Sequence, residues 1–476
     1  MALSRLPPRL MFAAPQGRSG KTIISCGVCA ILARRGLRVQ PFKKGPDYID
    51  SSWLQAATGI PCRNLDAFLM PETTLINHFT RTAENADIVL IEGNMGLYDG
   101  IEENGTGSSA HMARLLKTPV ILIINTARMT RSVAAMVMGY QNFELHTPIA
   151  GVVLNNVSGE RHRKKLVRAI EDNCNIPVLG TIPRDESLHI KERHLGLVPF
   201  REDGTGSLVI ERIARVIEQH IDMEGILSIA RSAEEIEYTE EKEKSVEKQK
   251  RIRIGVFFDK AFHFYYPENL EALENHGAEL VYIDSLIDRT LPSIHGLYIG
   301  GGFPELYLKE LESNRGLMED VARAIEEELP VYAECAGLMY LSKGVSEGNT
   351  IFRMAGVIPS EIGIKKKPEG HGYIEAEVIK ENPFYPVGER IKGHEFHYSY
   401  LTSTEGLHLA LEVIRGRGVN GGLDGIVYKN MFASYTHIHA LGTQSWAEAF
   451  LSLALNEERK ERVYSMEKSR KEVFYG

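Results

Sequence analysis

The chain has 476 residues, of which 43% are hydrophobic and 25% are charged, and its formal net charge is −8 at pH 7. This length predicts two or three domains, and the acidic balance argues against a nucleic-acid-binding protein, which would normally present a basic face. No apolar run approaches the roughly 18 residues that span a membrane, and the first residues lack the apolar core of a signal peptide, so we expect a cytoplasmic protein.

Short apolar runs alternate with amphipathic segments through the first half of the chain. The apolar runs predict buried strands and the segments between them predict helices. The predicted strands are 9–13, 39–42, 88–91, 120–124 and 149–154, and the predicted helices include 23–35 and 109–116. This alternation is typical of a parallel sheet covered by helices on both faces.

A glycine-rich segment with the sequence GRSGKT, residues 17–22, follows the first predicted strand and precedes a helix. In a phosphate-binding loop, backbone N–H groups and a helix N-terminus converge on anionic oxygens, and a lysine adds charge. The strict pattern has glycine at position 15, where this chain has Pro15. The residues that keep the pattern are Gly17, Gly20, Lys21 and Thr22. We therefore predict a nucleotide site, with the Thr22 hydroxyl placed to hold Mg²⁺.

Acidic residues cluster after other predicted strands of the first half. Glu92 ends one strand, Asp47 and Asp50 follow another just past Lys43, and Asp99 lies in a turn. Because the carboxyl ends of parallel strands meet at one edge of a sheet, such groups can together hold a metal ion or its water. Each acid alone could equally cap a helix. Their grouping favours a metal and substrate site, while the capping interpretation stays open for every member.

The five cysteines, at positions 26, 29, 62, 174 and 335, do not form a disulfide framework in a chain of this length. Cys26 and Cys29 have the spacing of a redox motif, but they fall in the helix that follows the phosphate loop. We expect both to be buried helical thiols.

The composition changes sharply between residues 233 and 250, where Glu and Lys dominate. Such a charge run cannot bury a core, so it predicts a linker or a solvated helix. A second strand–helix pattern follows, with predicted strands at 252–258, 279–283, 295–299 and 330–333, and the chain is then strand-rich to about residue 441. The charged stretch after residue 456 predicts a solvated helix. We thus expect a domain over 1–232, a linker over 233–250, a second domain over 251–452 and a tail over 453–476.

Cys335 lies between a predicted strand and a predicted helix. A nucleophile on such a turn projects its side chain, and the following helix N-terminus is expected to lower the thiol pKa. His437 and His439 are the candidate bases, because alternate residues of a strand share a face. The glycine-rich turn at 300–302, through Gly301 and Gly302, is expected to offer free N–H groups for an oxyanion. A lone cysteine is usually an inert core residue, but these neighbours favour a nucleophile.

Longer motifs occur in both halves of the chain, namely GPDYID at 45–50, EG at 92–93, GLYDG at 96–100, FYYP at 264–267, GGFPEL at 301–306, GHEFHYS at 393–399 and ASYTHIH at 433–439. Taken together, these motifs resemble the cobyrinic acid a,c-diamide synthase family over nearly the whole chain. The resemblance implies an α/β protein with two doubly wound domains. These are an N-terminal phosphate-loop domain similar to dethiobiotin synthetase, which uses ATP, and a C-terminal class I glutamine amidotransferase domain.

The resemblance also implies a ligase that forms amides. Cys335 would take the glutamine amide as a thioester with His437 as base, and His439 falls where relatives with a full triad carry an acid. Released ammonia would pass to the first domain, where ATP converts a tetrapyrrole acetate into an acyl phosphate that ammonia displaces. The expected reaction is cobyrinate to cobyrinate a,c-diamide in cobalamin biosynthesis.

Roles for the first-domain residues follow from the same resemblance. Lys21 and Thr22 would serve the phosphates and Mg²⁺, and Asp47 and Glu92 would hold the metal. The remaining assignments are Tyr48, Asp50 and Asp99 near the reacting carboxylate and Asn155 at the nucleotide base. The expected partners are small molecules, namely the anionic tetrapyrrole, ATP and glutamine, and a homodimer is left open.

Three segments depart from the family pattern and leave the tetrapyrrole open. Ser51-Ser52-Trp53 stands where Pro and a following His are usual, Lys43-Lys44-Gly45 gives its loop an additional cation, and Asn125 stands where Asp is more frequent. Residues 41–69 also resemble sirohaem amidases, and a nickel-sirohydrochlorin a,c-diamide synthase is a third relative. All of these act on neighbouring acetates of a large macrocycle.

Two alternatives belong to other classes of protein. Phosphate-loop ATPases that act as partitioning switches often carry a lysine where this chain has Gln16, and they lack a cysteine-bearing second domain. A degenerate amidotransferase acting as a scaffold should have lost Cys335 or His437, whereas both are present. The sequence therefore favours the enzyme.

Overall fold

The computed structural model describes residues 6–193, 196–236 and 252–456. The chain separates into two compact units, Met1–Lys242 and Glu243–Gly476. The boundary between them falls inside the charged stretch 233–250. Most of that stretch, and the helix predicted after residue 456, lie outside the described residues.

The described part of the first unit alternates strands and helices, as the apolar periodicity predicts. Its strands are β1 (Arg9–Ala13), β2 (Val39–Lys44), β3 (Arg63–Leu65), β4 (Ile88–Glu92), β5 (Val120–Asn125), β6 (Ile149–Val157), β7 (Val178–Pro183), β8 (Glu192–Arg193) and β9 (Gly196–Leu197). Its helices are α1 (Lys21–Arg34), α2 (Tyr48–Thr58), α3 (Glu72–Ala83), α4 (Ser109–Leu115), α5 (Ser132–Phe143), α6 (Glu160–Cys174), α7 (Gly206–His220) and α8 (Met223–Arg231). Several strands extend past the predicted apolar runs, so that Lys43, Lys44 and Glu92 belong to the sheet.

The first seven of these strands form one sheet in the order β3-β2-β4-β1-β5-β6-β7, and every neighbouring pair is parallel. Alternate strand residues face opposite sides of the sheet. On one side, Leu10 and Phe12 join a core with α1, whose Cys26 and Cys29 are buried as predicted. On the other side, Phe42 packs against Phe79 of α3, with ring centroids 4.9 Å apart. The unit is therefore doubly wound, as predicted.

The second unit begins with the same pattern and then becomes strand-rich. Its strands are β10 (Ile252–Phe257), β11 (Phe262–Phe264), β12 (Ala278–Ile283), β13 (Gly296–Ile299), β14 (Gly301–Gly302), β15 (Val331–Glu334), β16 (Ser342–Glu347), β17 (Thr350–Arg353), β18 (Ile358–Ile364), β19 (Gly370–Val378), β20 (Arg390–His397), β21 (Ser399–Leu401), β22 (His408–Arg415), β23 (Leu423–Tyr428), β24 (Met431–Ser434) and β25 (His437–Ile438). Its helices are α9 (Pro267–Asn275), α10 (Leu308–Ser313), α11 (Arg315–Glu326) and α12 (Ala336–Leu341), and residues 445–456 are also helical.

The main sheet of the second unit has the order β12-β10-β13-β15-β24-β23-β22-β19-β20-β25. Its pairs are parallel from β12 to β24 and antiparallel from there to β25. The α/β pattern thus holds for the parallel half, and the strand-rich region extends the same sheet. Cys335 follows β15, in the parallel half, where loops at strand ends commonly carry functional groups.

Among the described residues, no helix has both the length and the apolar character that crossing a membrane requires.

Candidate active sites

The phosphate loop joins β1 to α1. Gly20 precedes α1 with a φ of 93°, and a Cβ atom there would lie 2.3 Å from Nδ2 of Asn155, so the loop requires glycine at this position. Asn155 donates from Nδ2 to the carbonyl oxygen of Ser19 at 2.9 Å. Gly17 has open space around it. The predicted base-contacting residue therefore lies against the predicted phosphate loop.

Lys21 begins α1 and points back across this loop. Its Nζ donates to the carbonyl oxygens of Met95 at 2.8 Å and Gln16 at 3.4 Å. Burial, reinforced by the charge of Lys43, lowers the pKa of Lys21 to about 8. An ammonium group in such surroundings lacks full compensation, and phosphate oxygens would supply it.

Lys43 lies at the centre of a cluster of carboxyl groups that we call the acidic cluster, formed by Asp47, Asp50 and Glu92. Lys43 and Glu92 are register partners on β2 and β4. Nζ of Lys43 is 2.7 Å from Oε1 of Glu92, 2.5 Å from Oδ2 of Asp50 and 3.7 Å from Oδ2 of Asp47. Burial opposes the charge on Lys43, but the carboxylates outweigh it and raise the pKa of this lysine well above its usual value.

Lys43 is a residue that the sequence reasoning did not assign to the site. Lys43 could have been recognised in the sequence as a lysine in the strand next to that of Glu92, at a position where the side chain must be buried. Its ion pair with Asp50 also fixes the first turn of α2.

Asp47 has two roles in the structure. Its Oδ1 accepts the backbone N–H groups of Ile49 and Asp50, both at 2.9 Å, so it is the N-cap of α2. It is also a member of the acidic cluster, where burial and the charge of Asp50 raise its pKa to about 7. Burial also acts to raise the pKa of Asp50. The ammonium group of Lys43 outweighs burial and holds the pKa of Asp50 below its usual value.

Thr22 and Glu92 together fit a magnesium ion. The Thr22 hydroxyl donates to Oε1 of Glu92 at 2.9 Å, while the buried Oε2 of Glu92 has no hydrogen-bond partner among the described residues. Within the same residues, no group of three or more His, Cys, Asp or Glu side chains forms a metal cage. A hydroxyl and one orphaned carboxylate oxygen suit Mg²⁺, which takes many of its ligands from water and phosphate.

The structure also brings Asp99 to this site. Its Oδ2 accepts the backbone N–H of Gly96 at 2.9 Å, and its charge acts on Lys21 and on Lys44. Tyr48 is the first residue of α2 and is partly buried. In the sequence it lies between Asp47 and Asp50. All the residues assigned to the first site from sequence thus belong to the carboxyl edge of one sheet.

Cys335 occupies a strained turn between β15 and α12. Its φ of 47° and ψ of −91° are rare for a residue with a side chain, and such strain is typical of a nucleophile elbow. The side chain is nearly buried, with 7% of the residue exposed. Burial, with the charges of Glu305 and Glu334, raises the thiol pKa. The backbone N–H of Ala336, at the N-terminus of α12, lowers this pKa as expected, but burial and the two acids outweigh it. A base must therefore take the thiol proton.

His437 is held between Glu334 and the glycine-rich turn. Its Nδ1 lies 3.3 Å from Oε2 of Glu334. On another side, a Cβ atom at Gly301 would lie 2.4 Å from Cε1 of His437 and 3.2 Å from its Nε2. The absence of a side chain at Gly301 therefore admits the imidazole ring. The ring also stacks on His394, with centroids 4.9 Å apart.

His439 belongs to the same buried cluster of rings but contacts a different acid. Its Nε2 is 3.6 Å from Oε2 of Glu268, and its ring packs against Tyr266 with centroids 4.6 Å apart. The residue is fully buried. The structure thus brings the two candidate histidines into one cluster, with separate carboxyl neighbours.

The glycine-rich turn at 300–302 is more ordered than the sequence predicts. Gly301 and Gly302 form β14, which pairs with β11, and the N–H of Gly300 donates to the Tyr265 hydroxyl at 2.7 Å. The N–H of Gly300 therefore already has a partner and is not one of the free N–H groups expected in this turn. The oxyanion role of Gly301 and Gly302 stays a prediction.

Comparisons with known proteins match both units. Residues 10–198 match the family described as the CobQ/CobB/MinD/ParA nucleotide binding domain, and residues 253–445 match the CobB/CobQ-like glutamine amidotransferase domain. The chain is 43% identical to the cobyrinate a,c-diamide synthase of Magnetococcus marinus over 446 residues, which cover 92% of this chain and 96% of that protein. The chain belongs to the cobyrinate a,c-diamide synthase family.

Two further members of the cobyrinate a,c-diamide synthase family are similar over comparable lengths. The protein of Caldanaerobacter subterraneus subsp. tengcongensis is 42% identical, covering 93% of this chain and 97% of its own. The protein of Archaeoglobus fulgidus is 38% identical, covering 94% of this chain and 98% of its own. The resemblance inferred from the motifs is therefore confirmed, and so is the fold of two α/β domains.

The departures from the usual pattern of the cobyrinate a,c-diamide synthase family have structural partners at the start of α2. The Ser51 hydroxyl donates to the carbonyl oxygen of Asp47 at 2.6 Å, and the Ser52 hydroxyl accepts the N–H of Phe200 at 3.1 Å. Trp53 is fully buried and donates from Nε1 to the carbonyl oxygen of Val198 at 2.9 Å. Ser52 and Trp53 therefore attach α2 to the segment 198–200, whereas Ser51 bonds within the start of α2 itself.

The other two departures lie at strand ends. Oδ1 of Asn125 accepts Nδ2 of Asn156 at 3.1 Å, which joins β5 to β6. Lys44 is buried, and burial lowers its pKa. Asn125 thus has a structural role, whereas Lys44 adds a buried positive charge that interacts with the charges of Asp66 and Asp99.

Proposed function

We propose that this chain catalyses the ATP- and glutamine-dependent amidation of the a and c acetate carboxylates of cobyrinate in cobalamin biosynthesis. The observation that carries the proposal is the near full-length similarity to curated cobyrinate a,c-diamide synthases. The retained Cys335 and His437 and the phosphate loop support it. Small molecules are the partners in this proposal, and a homodimer is compatible with it.

The second unit would supply ammonia. Because the pKa of the Cys335 thiol is raised, His437 removes its proton as the sulfur attacks the amide carbon of glutamine. The tetrahedral intermediate is stabilised by backbone N–H groups near Gly301 and Gly302. Its collapse passes the proton to the leaving ammonia and leaves a thioester, which water hydrolyses to glutamate and free thiol.

The first unit would activate the acid. A carboxylate oxygen of the tetrapyrrole attacks the γ-phosphorus of ATP, giving an acyl phosphate and ADP, and ammonia then displaces phosphate to form the amide. Lys21 and the loop N–H groups hold the phosphates, and Asn155 contacts the base. Thr22, Asp47 and Glu92 would hold Mg²⁺, which when bound neutralises charge on the transferring phosphoryl group.

The substrate carboxylate would lie near Tyr48, Asp50 and Asp99, with Lys43 holding Asp50 in place. The ion pair between Lys43 and Asp50 supports this division of roles, because it leaves Lys21 to the phosphates. We therefore regard Lys43 as a support of the acidic cluster in the resting protein.

Mass spectrometry of the reaction tests the proposed substrate. The purified protein is incubated with Mg-ATP and glutamine and, separately, with cobyrinic acid, sirohaem or nickel-sirohydrochlorin. Of the three compounds, we expect only cobyrinic acid to be converted. Its product should be slightly lighter for each carboxyl group that becomes an amide. Conversion of a sirohydrochlorin derivative instead would assign the chain to one of the alternative amidases. Loss of ATP without any amide, and without glutaminase activity, would favour the partitioning-type ATPase.

A further inference from the structure

The imidazole of His437 needs an acceptor that fixes its tautomer. In a thiol–imidazole pair, the ring nitrogen that faces the thiol must be unprotonated, so the other nitrogen carries the proton. Relatives with a full triad place an acid two residues after the histidine, and this chain has His439 there. His439 is not an acid, and the carboxyl group near it, Glu268, contacts His439. The acceptor for the N–H of His437 is therefore a different residue.

Glu334 is the carboxyl group that contacts Nδ1 of His437. It ends β15, immediately before Cys335, and it is fully buried. Its Oε2 lies 3.3 Å from Nδ1 of His437, and its Oε1 accepts the backbone N–H of Ile438 at 3.1 Å. The carboxyl group therefore contacts both the ring and the backbone of the segment that carries the ring.

Further hydrogen bonds hold Glu334 in one orientation. The Tyr298 hydroxyl donates to its Oε2 at 3.0 Å. Asn269 of α9 donates to the Tyr298 oxygen at 3.3 Å and to the carbonyl oxygen of Ile438 at 2.9 Å, and its Oδ1 accepts the N–H of Ala440 at 2.7 Å. A buried carboxyl group with this many donors is orientationally fixed.

The segment before His437 is fixed from the other side. Asp424 of β23 accepts the N–H groups of Tyr435 and Thr436, both at 3.2 Å, and the Thr436 hydroxyl at 2.7 Å. Because the backbone is anchored on both sides of His437, the position of its ring is set chiefly by Glu334, the glycine-rich turn and the buried ring of His394 that stacks on it.

We propose that Glu334 is the positioning residue that orients His437, in place of an acid two residues after the histidine. This inference rests on the proposed glutaminase function. In the resting state the proton on Nδ1 is donated to Oε2 of Glu334, which leaves Nε2 as the base. When Nε2 takes the proton of Cys335, the negative charge of Glu334 stabilises the imidazolium, and no proton passes to the glutamate.

The arrangement places nucleophile and orienting acid next to each other in the chain. Cys335 and Glu334 are consecutive residues of one strand end, while His437 comes from a distant segment. One strand of the sheet thus fixes the distance between the thiol and the carboxyl group. A displacement of β15 would move both groups together.

The test is the pH profile of glutaminase activity in Glu334→Gln, with ammonium-driven amide synthesis measured on the same preparation. We expect glutaminase kcat to fall on the order of 10²–10⁴-fold with KM for glutamine little changed. Loss of the carboxylate makes the imidazolium less stable, so the acid limb of kcat/KM should move to lower pH. Ammonium-driven synthesis should remain, because it does not use the thiol.

Tyr298→Phe provides the matched variant, since it removes one donor from Oε2 and keeps the carboxyl group. The carboxylate becomes a stronger acceptor, so the acid limb should move to higher pH, with a smaller loss of kcat. Acid limbs that stay at the wild-type position in both variants would overturn the role of Glu334. The role of Glu334 would also be overturned if His439→Asn moved the acid limb of kcat/KM and Glu334→Gln did not.

Failure of the proposed function gives a different result. In that case the wild-type protein would have no glutaminase activity, or Cys335→Ala would keep it. If circular dichroism shows that the Glu334→Gln protein does not fold, the Tyr298→Phe profile decides alone.

Discussion

The two sites differ in the charge that their functional groups carry in the resting protein. The first gathers lysines and carboxylates at one edge of a parallel sheet, and Lys43 is buried among three acids. The second keeps its nucleophile uncharged, because burial and nearby acids raise the pKa of the Cys335 thiol. A site for phosphoryl transfer must compensate the charges of phosphate groups throughout the reaction. A thiol site needs the charged thiolate only while the substrate is bound.

The difference predicts different consequences of mutation. In the first unit, the charged groups compensate one another, so removing one of them affects stability as well as activity. In the second unit, the reactive groups rest on a strained turn and a hydrogen-bond network, so the reactive atoms can be removed with little effect on the fold.

Cys335→Ala should separate the two units most sharply. We expect glutamine-driven synthesis to fall on the order of 10⁴-fold or more, since the nucleophile is lost. Synthesis from added ammonium salts should stay close to wild type, because the first unit is intact. Parallel assays with glutamine and with ammonium chloride measure both. Loss of the ammonium-driven reaction in a folded protein would disprove the division of labour.

Glu92→Gln should have the second largest effect and, unlike the cysteine variant, should affect both nitrogen sources. The amide removes the charge that pairs with Lys43 and would bind Mg²⁺, so amide synthesis should fall on the order of 10²–10³-fold. Glutaminase activity measured alone should persist, which serves as the internal control. Full synthesis at saturating Mg²⁺ in this variant would contradict the metal role.

Lys43→Met should destabilise the first unit by about 3–5 kcal/mol in the absence of metal, because it leaves buried carboxylates without their cation. Lys44→Met is the matched control: burial lowers the pKa of Lys44, so losing its charge should cost little or stabilise. Urea unfolding in EDTA measures both. Equal losses in the two variants would show that the charge of Lys43 is not what holds the acidic cluster.

Asp47→Asn should give the smallest effect, and one that depends on pH. The folded-state pKa of Asp47 is raised to about 7 from 3.8. Its stabilising contribution is therefore present at low pH and is lost as the pH rises through about 7. The metal-free variant, whose asparagine still caps α2, should gain stability relative to wild type between about pH 4 and pH 7.

Asp185→Asn is the control for this pH dependence. Asp185 also caps a short helix, but hydrogen bonds with Ser187 lower the pKa of its exposed carboxyl group. Its contribution is lost as the pH falls, so its variant should show no gain between about pH 4 and pH 7. Thermal unfolding over that range compares the two, and parallel curves would contradict the raised pKa of Asp47.

The residues proposed for the first site can be grouped from the sequence because they follow strands. A parallel sheet brings strand ends to one edge, so Glu92, Asp47 and the phosphate loop could be grouped without knowing the strand order. Lys43 could not be assigned in the same way. Its role depends on the register of β2 against β4, which sets it opposite Glu92, and register is a tertiary property.

The second site is less accessible from sequence. Cys335 and His437 have local signals, namely a strand-to-helix turn and a family motif. The contact between Glu334 and His437 depends on how the chain returns from β24 to β25, and the raised thiol pKa depends on burial and on Glu305. These quantities come from packing, which a single sequence does not report.

The two tryptophans of the chain give each unit its own optical signal. Trp53 lies in α2 of the first unit and Trp446 in the last described helix of the second, and both are fully buried. Indole emission shifts to longer wavelength when the ring meets water. Trp446→Phe would therefore leave a fluorescence that follows the first unit alone, and Trp53→Phe one that follows the second. The order in which the units of the intact chain unfold can be read without any label.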